Sequence, residues 1–211
     1  MRIIAGDFRR RLLATPRDDT VTRPMPDRVR EALFNLLRGH VEGQAVVDVF
    51  AGTGAIGLEA LSRGASQCVF VERDRMIARL LQQNIESLRV EDQATLVTGD
   101  ALGSAALIQA PRPCHLIFFD PPYPLMQNAV RRRRVLEQLS RFVGLLDDEG
   151  YAILRTPWPF LEESEEPDDP SEAPAQKPAP TEIDLELPSA LGPETHTYGS
   201  TALHLYMKKS A

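Results

Sequence analysis

The chain has 211 residues, 43% of them hydrophobic, with a formal net charge of −6 at pH 7. That length suits one domain with a substantial core and leaves room for an appendage. No apolar run approaches a membrane span and Met1-Arg-Ile-Ile-Ala-Gly6 lacks a signal peptide's apolar centre, so a cytoplasmic protein is expected. Its two cysteines, Cys68 and Cys114, lie in apolar runs and read as buried free thiols. With four scattered histidines they give no metal-ligand spacing, so no metal is expected.

The net charge hides a division. Residues 162–186 hold ten acids against Lys177 alone, and the rest of the chain sums to +3. A mildly basic body with an acidic insert permits a nucleic-acid partner.

The opening stretch Arg2–Leu13 has two short apolar-polar runs around Gly6-Asp7 and predicts a small β-hairpin. An extended link follows from Pro16 to Pro26, with Thr22-Arg-Pro24 inside it. Asp27-Arg-Val-Arg-Glu-Ala-Leu-Phe-Asn-Leu-Leu37 then sets Val29, Leu33, Leu36 and Leu37 on one helical face, with Pro26 and Asp27 as start signals. Residues 1–38 carry nine arginines against five acids. Arg2, Arg9, Arg10, Arg11 and Arg23 are candidate phosphate contacts, although a solvated surface explains them nearly as well.

From Gln44 strands and helices alternate: strand 45–51, helix 55–63, strand 67–72, helix 74–88, strand 93–98, helix 101–109, strand 114–120. This predicts an α/β fold with a mostly parallel sheet and helices on both faces. Ligands in such sheets bind beyond the carboxyl ends of the strands. Asp48, Glu72, Asp100 and Asp120 all fall at or near those ends and are expected to converge on one crevice.

The first strand runs into Asp48-Val-Phe-Ala-Gly-Thr-Gly54, a turn at which glycines let the backbone approach a ligand and a helix N-terminus points back at it. Asp48, Phe50, Ala51, Gly52, Thr53 and Gly54 are therefore candidate cofactor contacts. The spacing Gly52-x-Gly54-x-x-Gly57 also fits a dinucleotide fingerprint, so the loop alone does not name its ligand. Glu72, about twenty residues on, can accept from both ribose hydroxyls of either NAD or S-adenosylmethionine (SAM). Arg73 adjoins it, and Asp74 reads as a helix cap. Asp100, next to Ala101, can reach an adenine amino group, cap the following helix, or both.

The sharpest signal is Leu116-Ile-Phe-Phe-Asp-Pro-Pro-Tyr123. Pro121 and Pro122 stiffen the backbone and remove two N–H donors, so the loop presents acceptors. Asp120 and the Pro121 carbonyl can each take a hydrogen of one exocyclic amine, turning its lone pair toward a methyl donor. Tyr123 can stack on the base, and a base in a duplex must first be flipped out. Farther on, Arg131-Arg-Arg-Arg134 spans a whole helical turn and cannot form one flat stripe. Arg131 and Arg132 are candidate phosphate contacts near the crevice, with Leu136, Leu139, Phe142 and Val143 on the apolar face. Gly150–Arg155 predicts the fifth strand, and Thr195–Gly199 with Thr201–Met207 a closing hairpin. Residues 160–181, rich in Glu, Asp and Pro, predict a disordered acidic insertion.

Asp-Pro-Pro-Tyr after the fourth strand and Asp-x-Phe-x-Gly-x-Gly after the first resemble the SAM-dependent amino-methyltransferases of nucleic-acid bases. Thr22-Arg-Pro24, Asp27–Leu37 and Phe50-Ala-Gly-Thr-Gly-Ala-Ile-Gly-Leu-Glu-Ala-Leu-Ser-Arg-Gly64 are similar, more closely, to the bacterial 16S rRNA guanine-N2 methyltransferase family. The resemblance covers about residues 1–155 and resumes at 198–208. It implies a Rossmann-like, seven-stranded methyltransferase domain over 25–211 behind a basic hairpin and link at 1–24. The 48–54 loop would hold the methionine part of SAM, Glu72 the ribose, Asp100 the adenine, and Asp120 with its loop the guanine amine. The implied partner is 16S rRNA or an assembling small subunit, engaged in part by the hairpin, and a monomer is the default. Two departures stand out: Arg10 where a glycine is expected, and Met25 where a threonine is expected. Three other readings stay open: adenine-N6 methylation of DNA or RNA, an NAD-dependent oxidoreductase that leaves Asp-Pro-Pro-Tyr unused, and a non-catalytic RNA-binding assembly factor.

Overall fold

The computed structural model describes residues 1–16, 25–162 and 181–209. The expected acidic insertion lies almost wholly outside the described residues, as do Thr22-Arg-Pro24 and the phosphate contact assigned to Arg23.

The elements run α1 (Asp27–Leu36), β1 (Ala45–Val49), α2 (Ala55–Ser62), β2 (Gln67–Glu72), α3 (Arg75–Leu88), β3 (Ala94–Thr98), α4 (Ser104–Gln109), β4 (Cys114–Phe119), α5 (Tyr123–Gln127), α6 (Ala129–Val143), β5 (Leu146–Pro157), β6 (Leu161–Glu162), β7 (Thr181–Glu182), β8 (Ala190–Tyr198) and β9 (Thr201–Lys208). Seven strands form one sheet in the order β3-β2-β1-β4-β5-β9-β8, parallel from β3 to β5, with β9 antiparallel to β5 and to β8. Strand order reverses direction between β1 and β4. That switch point opens the crevice toward which the carboxyl ends of both strands lead.

The centre of the sheet is apolar on both faces because helices cover both. β4 is buried along its whole length, and β1 is buried from Val46 to Val49. One core gathers Val46, Leu58, Phe70, Leu116 and Phe118 under α1, α2 and α3; the other gathers Val47, Val71, Ile117, Phe119 and Leu154 under α6. In α3 the buried positions Ile77, Ala78, Leu81, Asn84, Ile85 and Leu88 follow the helical repeat, and Asp74 caps it by accepting from the Met76 and Ile77 N–H groups. All eight residues of α2 are buried, Glu59 among them.

Several expected boundaries move. α4 starts at Ser104 rather than 101, because the Asp100 side chain accepts from the Leu102 N–H in a turn and Gly103 takes the cap position. β5 extends from Leu146 to Pro157, and β8 begins at Ala190. All four of Arg131–Arg134 belong to α6, whose buried face uses Val135 where Leu136, half-buried, was expected.

The N-terminal hairpin forms with a single bridge, Arg2 to Leu12, closed by Ile3 N–H to Arg11 O (2.9 Å), Arg10 N–H to Ile3 O (2.9 Å) and Leu13 N–H to Met1 O (3.0 Å). It is not a loose arm, because Ile3 and Leu13 join the core that α1 and α2 share. Gly6 lies so close to α2 that an added Cβ would stand 1.7 Å from the Ser62 carbonyl oxygen. Arg10 has φ 70°, a left-handed conformation that explains why glycine is the expected residue there. Arg10→Gly is therefore expected to raise folding stability by about 1 kcal/mol, read as a higher urea midpoint with an unchanged slope.

Candidate active site

The glycine loop is held from three strands. Gly54, at φ 85°, is the residue before α2, and a Cβ on it would meet the Leu81 side chain at 2.4 Å. Gly57 allows α2 to press onto β2, since a Cβ there would fall 2.3 Å from the Phe70 ring. Phe50 takes φ 70° and packs edge-on against Phe119 at 5.3 Å between ring centres. From β1, the Asp48 carboxylate accepts the Gly57 N–H through Oδ2 (2.9 Å), tying strand to helix. From β2, Glu72 accepts the Gly52 N–H through Oε2 (2.9 Å) and the Asp74 N–H through Oε1 (2.8 Å).

Asp48 is buried, and its Oδ1 has no partner. Burial pushes its carboxyl up to about 7; the Gly57 N–H opposes that shift, while the Asp120 and Glu72 charges add to it. Asp48 thus feels two of the other three expected acids across the crevice. Asp100 lies at the same end of the sheet, after β3, with its Oδ1 accepting from Leu102 N–H. A folded state that keeps Asp48 protonated over a range where the unfolded chain has released the proton loses stability as pH rises. Between the ordinary carboxylate range and about pH 7 the stability of the free protein is expected to fall, then to level off for this group. Urea unfolding at acidic and alkaline pH checks this, and Asp48→Asn should flatten the slope.

Asp120 follows β4. Its Oδ1 accepts the Arg155 Nε–H at 2.6 Å, and both side chains are largely buried. Arg155 stands near the end of β5, whose register pairs Phe119 with Leu154, so Asp120 and Arg155 are neighbours across adjacent strands. The Arg155 guanidinium also lies 5.7 Å from the Tyr123 ring centre. Pro122 forms the N-cap of α5 and Tyr123 its first residue.

The expected phosphate contacts divide. Arg9, Arg10, Arg11 and Arg131 are exposed. A cleft of about 280 Å³, bounded by Arg2, Arg9, Arg10, Asp27 and Glu31 among others, lies between hairpin and α1, away from the crevice. Arg132 is corrected: it is buried, ion-paired to Glu162 at 2.6 Å, and bonded to the Met126 carbonyl at 3.1 Å. A guanidinium so occupied braces α6 against the chain after β5 rather than meeting phosphate. Met25 is buried in the core beside α1.

Sequence reasoning missed Arg155, Glu59 and Asn84. Glu59 accepts the Ile4 and Ala5 N–H groups (2.7 and 3.0 Å) and pairs with Arg63 at 2.8 Å. Asn84 accepts the Ala14 N–H (2.7 Å) and donates to the carbonyls of Ala14 and Thr53 (3.1 and 3.0 Å), so the chain leaving the hairpin is fastened beside the glycine loop. A polar residue on the apolar face of α3 was the available signal for Asn84.

Sheet order, glycine loop and acid-lined crevice together define a Rossmann-like methyltransferase. The family model described as "Conserved hypothetical protein 95" matches residues 1–158. Ribosomal RNA small subunit methyltransferase D of Escherichia coli K12 is 38% identical over 151 residues, 72% of this chain and 69% of that protein. Putative rRNA methyltransferase YlbH of Bacillus subtilis is 28% identical over 99% of this chain and 100% of its own length. Among solved structures, the putative methyltransferase yhhF from Escherichia coli superposes with a TM-score of 0.72 at 29% identity, covering 100% of this chain and 99% of that one. An RNA methyltransferase from Salinibacter ruber, solved with S-adenosyl-L-homocysteine, shares the fold at 14% identity and a TM-score of 0.56 over 90% of this chain and 96% of that one. The chain belongs to this family of bacterial rRNA methyltransferases.

Proposed function

We propose that the protein transfers the methyl group of SAM to the exocyclic N2 amine of a guanine in 16S rRNA, acting on the RNA or on an assembling small subunit. The observation that carries this reading is the placement of Asp120-Pro-Pro-Tyr123 at the carboxyl end of β4, beside the glycine loop after β1. Membership of the rRNA methyltransferase family and the fold shared with a protein solved with S-adenosyl-L-homocysteine support it.

The residues fit this cofactor. Glu72 and, once ionised, Asp48 give the crevice negative charge beyond the Asp120–Arg155 pair, which favours the cationic sulfonium and ammonium of SAM. A dinucleotide's pyrophosphate would be repelled, and the Gly52 N–H it would use is already taken by Glu72. The unpartnered Asp48 Oδ1 suits a cation or a water beneath it. Asp48, Phe50, Ala51, Gly52, Thr53 and Gly54 would face the methionine part; Glu72 and Arg73 the ribose; Asp100 and Ala101 the adenine.

When bound, SAM supplies a methyl group on a positively charged sulfur, so neither metal nor strong base is required. Asp120 and the Pro121 carbonyl would each accept one hydrogen of the target amine, holding the nitrogen lone pair in line with the methyl carbon. Pro122 fixes the turn, and Tyr123 packs on the base plane. The exposed guanidiniums of Arg9, Arg10, Arg11 and Arg131 would meet phosphates; Arg2, bridged to Asp27 at 3.6 Å, would do so from the hairpin cleft. No described helix is long and apolar enough to cross a membrane.

The test is transfer from isotopically labelled SAM to unmodified 16S rRNA and to partly assembled subunits, with product nucleosides identified by mass spectrometry. Labelled N2-methylguanosine is the expected product. N6-methyladenosine would overturn the choice of base, and the absence of any labelled nucleoside would overturn the reaction.

A further inference from the structure

We propose that Arg155 is a positioning residue for methyl transfer: it clamps one oxygen of Asp120, so that the other meets the target amine as a fixed acceptor. This rests on the function proposed above. Three observations converge. β4 and β5 are parallel and in register through Phe119 and Leu154, which sets Arg155 beside Asp120. The Nε–Oδ1 separation is 2.6 Å, with side-chain exposures of 8% and 14%. The same guanidinium lies 5.7 Å from the Tyr123 ring, so one cation touches both the acid and the aromatic of the motif.

The need for such a clamp follows from the charges around Asp120. Asp48 on β1 and Glu72 on β2 face the same crevice as carboxylates, Tyr123 contributes a ring, and Arg155 from β5 is the cation paired with Asp120. Burial drives the Asp120 carboxyl upward, and Arg155 opposes that through its charge and its hydrogen bond. A protonated Asp120 would carry an O–H donor where the amine needs an acceptor, and a mobile one would lose alignment. In the reaction the amine lone pair forms the new N–C bond, sulfur keeps the pair of the broken S–C bond, and the departing amine proton passes to water. Arg155 touches none of these atoms and acts through Asp120.

Arg155→Gln and Arg155→Lys test the proposal in the full chain. SAM affinity and urea unfolding establish that each variant is folded. Single-turnover methylation of unmodified 16S rRNA is followed across pH, and the Asp120 carboxyl is titrated by carbon-13 NMR in the absence of RNA. Arg155→Gln is expected to lower kcat about 10²-fold with KM within about twofold. The acidic limb of the profile and the Asp120 titration should both move to higher pH. Arg155→Lys, which keeps the charge but not the planar donor fork, should recover about tenfold of the loss and move the titration back. Unchanged kcat in both variants, or a loss with the pH profile and titration unmoved, would overturn the role. If Arg155→Gln does not fold, Arg155→Lys decides: a kcat about tenfold below wild type with the acidic limb moved upward supports the clamp, and wild-type kcat and profile overturn it. A wild type that methylates no rRNA would sink the function reading, while the carboxyl titration still judges the clamp.

Discussion

Asp120→Asn is expected to lower kcat by about 10²–10³-fold while leaving SAM affinity within about twofold of the wild type. Asparagine keeps the size of the side chain and one carbonyl acceptor but loses the negative charge. The amine becomes partly cationic as the new bond forms, so the anion's attraction grows toward the transition state beyond the hydrogen bond it already makes in the ground state. Asparagine also removes the Asp120 charge from beside the Arg155 guanidinium, which is 7% exposed, and so unsettles the clamp. Single-turnover rates with saturating RNA, and SAM titration by calorimetry, separate the two effects. A kcat within a few-fold of wild type would mean that Asp120 is a turn residue and that the acceptor lies elsewhere.

Glu59→Gln should be the most damaging conservative change outside the crevice, destabilising the protein by about 3–5 kcal/mol. The Glu59 carboxylate is fully buried in the middle of α2. It accepts from two hairpin N–H groups, pairs with Arg63, and lies 3.9 Å from the Nε of Arg30, itself 0% exposed. Arg30 depends on that charge: burial lowers its pKa, Asp27 and Glu59 act against the loss, and its Nε and Nη1 have no hydrogen-bond acceptor. Glutamine keeps one acceptor oxygen, but its NH2 faces N–H donors, and the guanidiniums of Arg30 and Arg63 lose the Glu59 charge, leaving Asp27 beside Arg30. Urea unfolding should show a lower midpoint, and hydrogen exchange should show the hairpin amides of Ile4 and Ala5 losing protection first. Protection equal to wild type would show that the hairpin is held without the Glu59 charge.

What was legible in the sequence was local. The β-branched run before Asp48, the glycines after it and the Asp-Pro-Pro-Tyr stop each carry their geometry within a few residues, and the alternation of strands and helices sets the sheet. Contacts between distant residues were not legible. Arg155 and Asp120 are 35 residues apart and meet only because β5 lies next to β4 in register. Glu59 looks like a surface charge in Ala-Ile-Gly-Leu-Glu-Ala-Leu-Ser; its burial follows from the hairpin folding back over α2, where Gly6 meets Ser62. The run Arg131–Arg134 could not show which arginine turns inward, because that depends on where α6 begins. Asn128 sets the start by accepting the Arg131 N–H, and Arg132 then points into the protein. The glycine expected at Arg10 was legible from the family pattern, and its physical reason is the left-handed backbone there.

The most direct test of the central claim is a nucleotide-resolved modification map of 16S rRNA from cells that lack this protein, repeated after the purified protein and SAM are added back. One N2-methylguanosine is expected to disappear, to return on addition of the wild-type protein, and to stay absent with Asp120→Asn. Loss and return of a methyladenosine, or a map unchanged by the protein's absence, would contradict that claim.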